Sequence, residues 1–482
     1  MAQFIASITN QFFYSKNQTQ RNFIFFVWAV VLFLLGAIFW GYFINWGHES
    51  FLNFHDWSEI TFPRLTILQN AIRQGVLPLH INDQSTLNNI TNRFLAIPDI
   101  ILSPQIIFLR WLTIEQFILV NLLLSYTAGY LGLLWISRRY QLSPFSLTLL
   151  FLLFNFNGHL LSHFSIGHFT WTGAFLFPWL IGLVVQVFEN QPLGWRWVFQ
   201  VSGLSLLILL QGGYHQFIWL LFLLVMLATI SRQNWLQVVA ALICSVSLSA
   251  IRTLPATINL GNLQNDFLLG YPSLNSIVEF AVSRYFPYEN VLNGDLVNHY
   301  GVWETTIYIG LAGLVFLVIF GIIQVFRKRS QSNSYAPLLM PVIGLTLLSL
   351  DRVYKYLRLI FPIPIFTGER ISSRIFFLAF VILVILAVIE FQKWFDQQPP
   401  SAPLFLGSLG LMGIMVNDLW QNSQVWTIKF AGNYFEPVEY ISEKWAVTNF
   451  IDPNYFFLLW IGAGITILTM GFLILMSRKE KH

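Results

Sequence analysis

The sequence predicts an all-α polytopic membrane protein, and three observations carry that prediction. Only 10% of its 482 residues are charged while 56% are hydrophobic, against about a quarter charged in an ordinary soluble domain. Apolar runs able to cross a bilayer, roughly 20 residues each, recur from Phe23 onward along the whole chain. The runs are continuous rather than alternating, which excludes the short two-sided strands of a membrane β-barrel.

The first run, 22–46, is too long for a signal-peptide core and lacks a small-residue cleavage site after it, so it reads as a retained span. Further spans are expected at 116–137, 143–160, 171–188, 197–212, 215–230, 236–254, 304–326, 336–350, 371–392, 402–417 and 456–476, twelve in all. Residues 1–482 form one integral membrane domain on this reading. Its non-membrane mass lies in loops 47–115, 255–303 and 418–455 and in a turn at 351–370. In the first loop, "EITFPRLTILQNAIRQG" sets Phe62, Leu65, Leu68 and Ile72 at helical spacing with Gly75 as a stop. That is an amphipathic helix suited to a membrane surface. "FLAIPDIILSPQIIFLR" is apolar too, but Pro98, Asp99 and Pro104 argue against a regular span, and it reads as interfacial or re-entrant. The single cysteine, Cys244, excludes a disulfide or a thiolate metal site within the chain.

Charge placement sets an orientation. The short connections carry Arg138-Arg139, Arg196, Arg232, Arg327-Lys328-Arg329 and the tail "SRKEKH". Short loops rich in Lys and Arg stay in the cytoplasm, so both termini are expected there, in the cell (plasma) membrane, with the long loops outside. Every histidine except His482 then lies on the outer side: His48, His55, His80, His159, His163, His168, His215 and His299. Long outer loops collect polar residues anyway, which accounts for part of this. It accounts less well for His159, His163, His168 and His215 gathering at the mouths of neighbouring spans, where an ionisable group is costly without a cavity or partner.

Four groups converge on that face. Asp56 and Glu59 follow the first span, three residues apart. The histidines are the second group. Arg252 ends the seventh span, and Arg370 and Arg374 begin the tenth, the third group. Glu304 begins the eighth. Each has a plainer reading: Asp56 as a helix cap or solvated residue, Glu59 as structural, Glu304 as the partner of one of the arginines, and Arg370 and Arg374 as snorkelling residues. Outer arginines run against the positive-inside tendency, which favours an anionic ligand. His159 and His163 share a helix face as metal ligands would, but a third ligand and a base in register are missing. No metal is assigned, and a divalent ion is left open.

The chain shows no phosphate-binding P-loop, no G-x-S-x-G elbow and no cysteine nucleophile. A substrate met outside, away from cytoplasmic nucleotides, is lipid-borne or extracytoplasmic. Basic residues facing a membrane cavity suit a lipid phosphate.

The order of these features resembles the GT-C superfamily of integral membrane glycosyltransferases, and within it the bacterial YfhO-type proteins. An acidic residue follows the first span. Pro63, Leu68, Asn70, Ile72 and "GVLPL" at 75–79 come next. "GGYHQ" at 212–216, "RTLPATINL", "YIGLAGLVFLV" and "GERISSRIFFLAF" are similar to later family segments. The likeness spans most of 22–393. It departs at His80, where the family has tryptophan, and at Gly-Tyr-His in place of Gly-His-Pro, and the last two spans carry no matching motif.

The resemblance implies transfer of a sugar from a polyprenyl-phosphate-linked donor to an extracytoplasmic acceptor: a cell-envelope glycan, a lipid or a protein. The leaving phosphate needs no general acid, so one carboxylate suffices to take the acceptor's proton. Asp56 fits that base, with Glu59 beside it. Arg252, Arg370 and Arg374 with His168 or His215 fit the phosphate clamp, supported by Glu304 and His163. The alternative is a transporter or flippase of a lipid-linked glycan, using the same cations without the base. Such proteins often show internal repeats and charges in mid-span, and neither is visible here.

Overall fold

The structure, a computed structural model, describes residues 11–14, 18–44, 52, 56–81, 93–189, 191–258, 268–284, 301–330, 334–427, 446–447 and 452–480. His48, His55, His299 and much of loops 47–115, 255–303 and 418–455 lie outside the described residues.

The apolar runs become helices in the expected order. Among the described residues, eight are long and apolar enough to cross a membrane: Phe23–Phe43, Ile114–Arg139, Pro144–Ser165, Phe169–Gln186, Val302–Arg327, Ser372–Phe395, Ala402–Trp426 and Pro453–Lys479. A ninth is a bent pair, Trp235–Leu248 and Ala250–Ala256, turned by 64°. The protein is thus an all-α, multi-pass membrane protein, but its qualifying spans fall short of the twelve expected. The shortfall is in three apolar helices, Trp195–Leu210, Tyr214–Ile230 and Ala336–Leu348. At about 1.5 Å per residue they are short for a hydrocarbon core about 30 Å thick. The turn at Gly212-Gly213, with Gly212 at φ 80°, separates the first two of them.

Burial sorts the helices into centre and rim. The apolar stretches of Pro144–Ser165 and Ser372–Phe395 are wholly inside the protein, whereas those of Ala402–Trp426 and Pro453–Lys479 are 17% and 11% buried. The central helix Phe376–Phe395 is apolar on every side, as a helix with no outward face must be. Its one carboxylate, Glu390, is held by Lys328 at 2.6 Å and Lys393 at 2.8 Å. Rim helices instead turn Leu406, Trp460 and Leu468 outward, a surface suited to lipid tails.

Backbone groups freed where a span breaks need partners in an apolar setting. At the 64° bend the partner is Thr466, whose hydroxyl accepts from the Ile251 amide (3.1 Å) and donates to the Leu248 carbonyl (3.0 Å). Gly462 permits this approach, since a Cβ there would strike the Ala250 carbonyl. The bend redirects the short helix that carries Arg252.

The first-loop helix forms as Phe62–Arg73, entered through a π-turn at Trp57–Thr61 and followed by Gly75 at φ 71°. Leu65 and Leu68 are buried, but against the protein: Gln69 donates to the carbonyls of Leu109 (3.3 Å) and Leu112 (2.8 Å). The following apolar stretch is irregular, with 3-10 turns at Phe94–Ala96 and Pro104–Arg110. Two-residue strands His80–Ile81 and Ala446–Val447 pair antiparallel. The expected turn at 351–370 holds a helix, Asp351–Ile360, whose Arg358 donates to the carbonyls of Thr367 (2.8 Å) and Glu369 (2.7 Å). That tether holds the segment bearing Glu369 and Arg370.

Candidate functional site

Asp56 opens the π-turn, and its neighbours anchor it. The fully buried Trp57 indole donates to the Phe164 carbonyl (3.1 Å), and the Thr61 hydroxyl to that of Gly167 (2.9 Å). Gly167 adopts φ 95°, and a Cβ there would collide with the Trp57 amide nitrogen. Glycine is needed for both reasons. This close approach sets the next residue, His168, with Nε2 at 3.0 Å from the Asp56 carboxylate.

Behind His168 lies His163, fully buried and stacked on Trp171 with ring centroids 4.1 Å apart. The two Nδ1 atoms are 2.6 Å apart. Neutral tautomers satisfy both contacts only when His163 carries its proton on Nδ1 and His168 carries its own on Nε2. His168 then donates to Asp56 and accepts from His163.

His215 comes from the Gly212-Gly213 turn that starts helix Tyr214–Ile230. Its Nδ1 is 2.9 Å from Glu369 Oε2, which also accepts from the Trp219 indole at 2.9 Å. The other oxygen of Glu369 accepts from the Ile371 amide (3.1 Å). Burial pushes the Glu369 carboxyl up, but the charge and hydrogen bond of His215, with the Trp219 N–H and Arg374, outweigh it and hold the carboxyl below its ordinary range.

Arg374 and Glu304 form a two-point pair, Nε and Nη2 each 2.5 Å from a carboxylate oxygen. Glu304 is therefore an arginine's partner, reached from a different helix, and Nη1 of Arg374 is the group not spent on it. Arg370 is exposed and precedes the helix, while Arg374, four residues on in the 3-10 turn Ser372–Ile375, is partly buried.

Asp56, His168, His215, Arg370 and Arg374 line one cavity of about 210 Å³. Glu304 and His163 lie outside its lining, touching His168 and Arg374 from behind at 3.9 Å or less. Glu59 is an exposed residue outside that lining: in its helical turn Trp57 and Ser58 take the buried side. Arg252 is also displaced from the expected clamp. It is fully buried, and its guanidinium donates to the carbonyls of Leu95 (2.9 Å), Ile97 (3.0 Å) and Asp99 (2.9 Å). The bent span aims it at backbone, so it braces the 95–99 segment, whose Pro98 and Asp99 line the cavity.

His163, His168 and Glu304 could offer a metal one ligand atom each, all within 4.8 Å of one another. Arg374 already occupies both oxygens of Glu304 with positive charge, which disfavours a cation at that point. His159, the other half of the expected pair, packs edge-on against His163 with ring centroids 4.4 Å apart, and its Nδ1 bonds to the Thr306 carbonyl (3.1 Å).

Sequence reading did not single out Arg64, Trp219 and Glu369 for the site, and treated Asp99 only as a breaker of a span. Arg64 and Asp99 line the cavity. Arg64 lies two helical turns beyond Asp56, and Glu369 adjoins Arg370, so nearness to a chosen residue was the available signal. No family model, curated protein or solved structure matches this chain.

Proposed function

We propose that the protein is a membrane glycosyltransferase of GT-C type that moves a sugar from a polyprenyl-phosphate-linked donor to an extracytoplasmic acceptor. The observation that carries this reading is the shared cavity: one carboxylate, Asp56, held by His168, alongside the cations Arg370 and Arg374. Asp56 takes the proton of the acceptor hydroxyl as its oxygen attacks the anomeric carbon. The bond from that carbon to the phosphate oxygen breaks, and the lipid phosphate leaves as an anion. Arg370, the uncommitted edge of Arg374, and His215 when protonated stabilise it.

The lysine- and arginine-rich short connections support placing this cavity on the outer face of the cell membrane, with both termini in the cytoplasm. We take the bent pair and the three shorter apolar helices as crossing too, which gives twelve spans and an even number of crossings. A transporter of lipid-linked glycan would use the same cations, but it has no use for a carboxylate held by a histidine at the cavity wall.

The test is turnover of a polyprenyl-phosphate hexose by the purified protein in nanodiscs, read as release of polyprenyl phosphate with cell-envelope glycan as acceptor. Asp56→Asn keeps the shape and loses the base, so turnover falls about a hundredfold or more. Near-normal turnover in a folded Asp56→Asn protein would overturn the assignment.

A further inference from the structure

Three side chains in the cavity lining carry buried polar atoms without a hydrogen-bond partner among the described residues: Nε of Arg64, Oδ1 of Asp99 and Oε1 of Gln216. Native proteins pair nearly all such atoms, and Arg64 and Asp99 present a donor and an acceptor that point to a ligand.

Both groups are held in place by other contacts. Nη1 of Arg64 donates to the Pro98 carbonyl at 2.9 Å. The Asp99 main chain is pinned by Arg252 at 2.9 Å, and Asp99 itself is 6% exposed. Burial pushes the Asp99 carboxyl up, with the charges of Arg64 and Arg252 and the main-chain amides of Ile100 and Ile101 pulling it partway back. The two atoms are therefore presented by a braced backbone rather than by mobile side chains.

The ligand's chemistry follows from what it must satisfy. A phosphate only accepts and would meet Asp99 badly, whereas an ammonium only donates and would meet Arg64 badly. A hydroxyl does both, and adjacent hydroxyls on a sugar ring can engage the two atoms together. Arg370 and Arg374 come to the cavity from a separate segment, and Asp56 lines it together with them and with Arg64 and Asp99. The base thus shares one cavity with groups suited to hydroxyls and groups suited to phosphate.

We propose that Arg64 and Asp99 form the subsite for the hydroxyl groups of the transferred sugar, separate from the arginines that receive its phosphate. This rests on the glycosyltransferase reading and adds the residues that recognise the glycosyl group.

The experiment measures binding of two probes to the full chain in nanodiscs: a short polyprenyl phosphate, and the same lipid carrying glucose, mannose or galactose. Wild type binds at least one glycosylated form about tenfold tighter than the bare lipid. Asp99→Ala loses that difference while bare-lipid affinity stays within about threefold, and Asp99→Asn, which keeps an acceptor oxygen, retains most of it. Should Asp99→Ala not fold, by gel filtration and thermal midpoint, Arg64→Met carries the same expectation. Arg370→Gln weakens both probes alike. Equal wild-type affinity for bare and glycosylated lipids overturns the subsite, as does undiminished sugar preference in Asp99→Ala or, where that protein fails to fold, in Arg64→Met. An equal loss of both probes in a folded Asp99→Ala protein also overturns it. Failure of wild type to bind either lipid overturns the glycosyltransferase reading itself.

Discussion

His168 bridges Asp56 and His163, with Nε2 at 3.0 Å from the carboxylate and Nδ1 at 2.6 Å from the second imidazole. A carboxylate that accepts a hydrogen bond is stabilised in its charged, basic form. His168→Ala removes that donor, so kcat should fall roughly 10- to 100-fold and the acid limb of the pH–rate profile should move to higher pH. His168→Gln can still present an N–H and should recover part of the loss. An unchanged profile in His168→Ala would leave the bridge without a catalytic role.

Arg370 and Arg374 differ in what else they hold, and their variants should separate accordingly. Arg374→Gln strands the buried Glu304 carboxylate, and breaking a buried pair from one side costs about 3–5 kcal/mol. Its thermal midpoint should drop sharply. Arg370→Gln, at an exposed position, should leave the midpoint nearly unchanged while weakening polyprenyl phosphate. Arg370→Lys keeps the charge but loses the planar fork, so it should fall between wild type and Gln. Equal affinity in wild type, Lys and Gln would reduce Arg370 to a snorkelling residue.

The Glu369–His215 contact should show itself in acid. A carboxyl held below its ordinary pKa contributes stability that is fully present above its unfolded value, about 4.3, and lost as pH falls through the lower folded value. The difference in thermal midpoint between wild type and Glu369→Gln should therefore shrink as pH falls from about 5 to below about 4. A difference that grows across that range would contradict the direction of the shift.

Orientation can be tested apart from chemistry. In a Cys244→Ser background, a cysteine at Gly75 should react with an impermeant thiol reagent added to intact cells, and one at Gln233 should not. The reverse pattern would place the cavity in the cytoplasm.

Some of this protein was legible in the sequence because it depends on local chemistry. Hydropathy over some 20 residues decides whether a segment is stable in a membrane, so the helices arose where the apolar runs stand. Prolines 98 and 104 marked an irregular stretch, and Phe62, Leu65, Leu68 and Ile72 marked a helix, since both signals act within a few turns. Depth is local too: Asp56, His168, His215, Arg370 and Arg374 all stand at one end of apolar runs, and the structure gathers them at one cavity. Which way a side chain turns at that level is not local. Arg252 looked like a free cation at a span end, but a bend held by Thr466 from the last helix turns it onto the carbonyls of Leu95, Ile97 and Asp99. Asp99 looked like a helix breaker until Arg64, 35 positions earlier, was packed into the same wall. Hydrophobic burial is non-directional, so it commits the segments to the membrane without choosing their facing partners. Close packing and the need to satisfy buried polar groups made that choice.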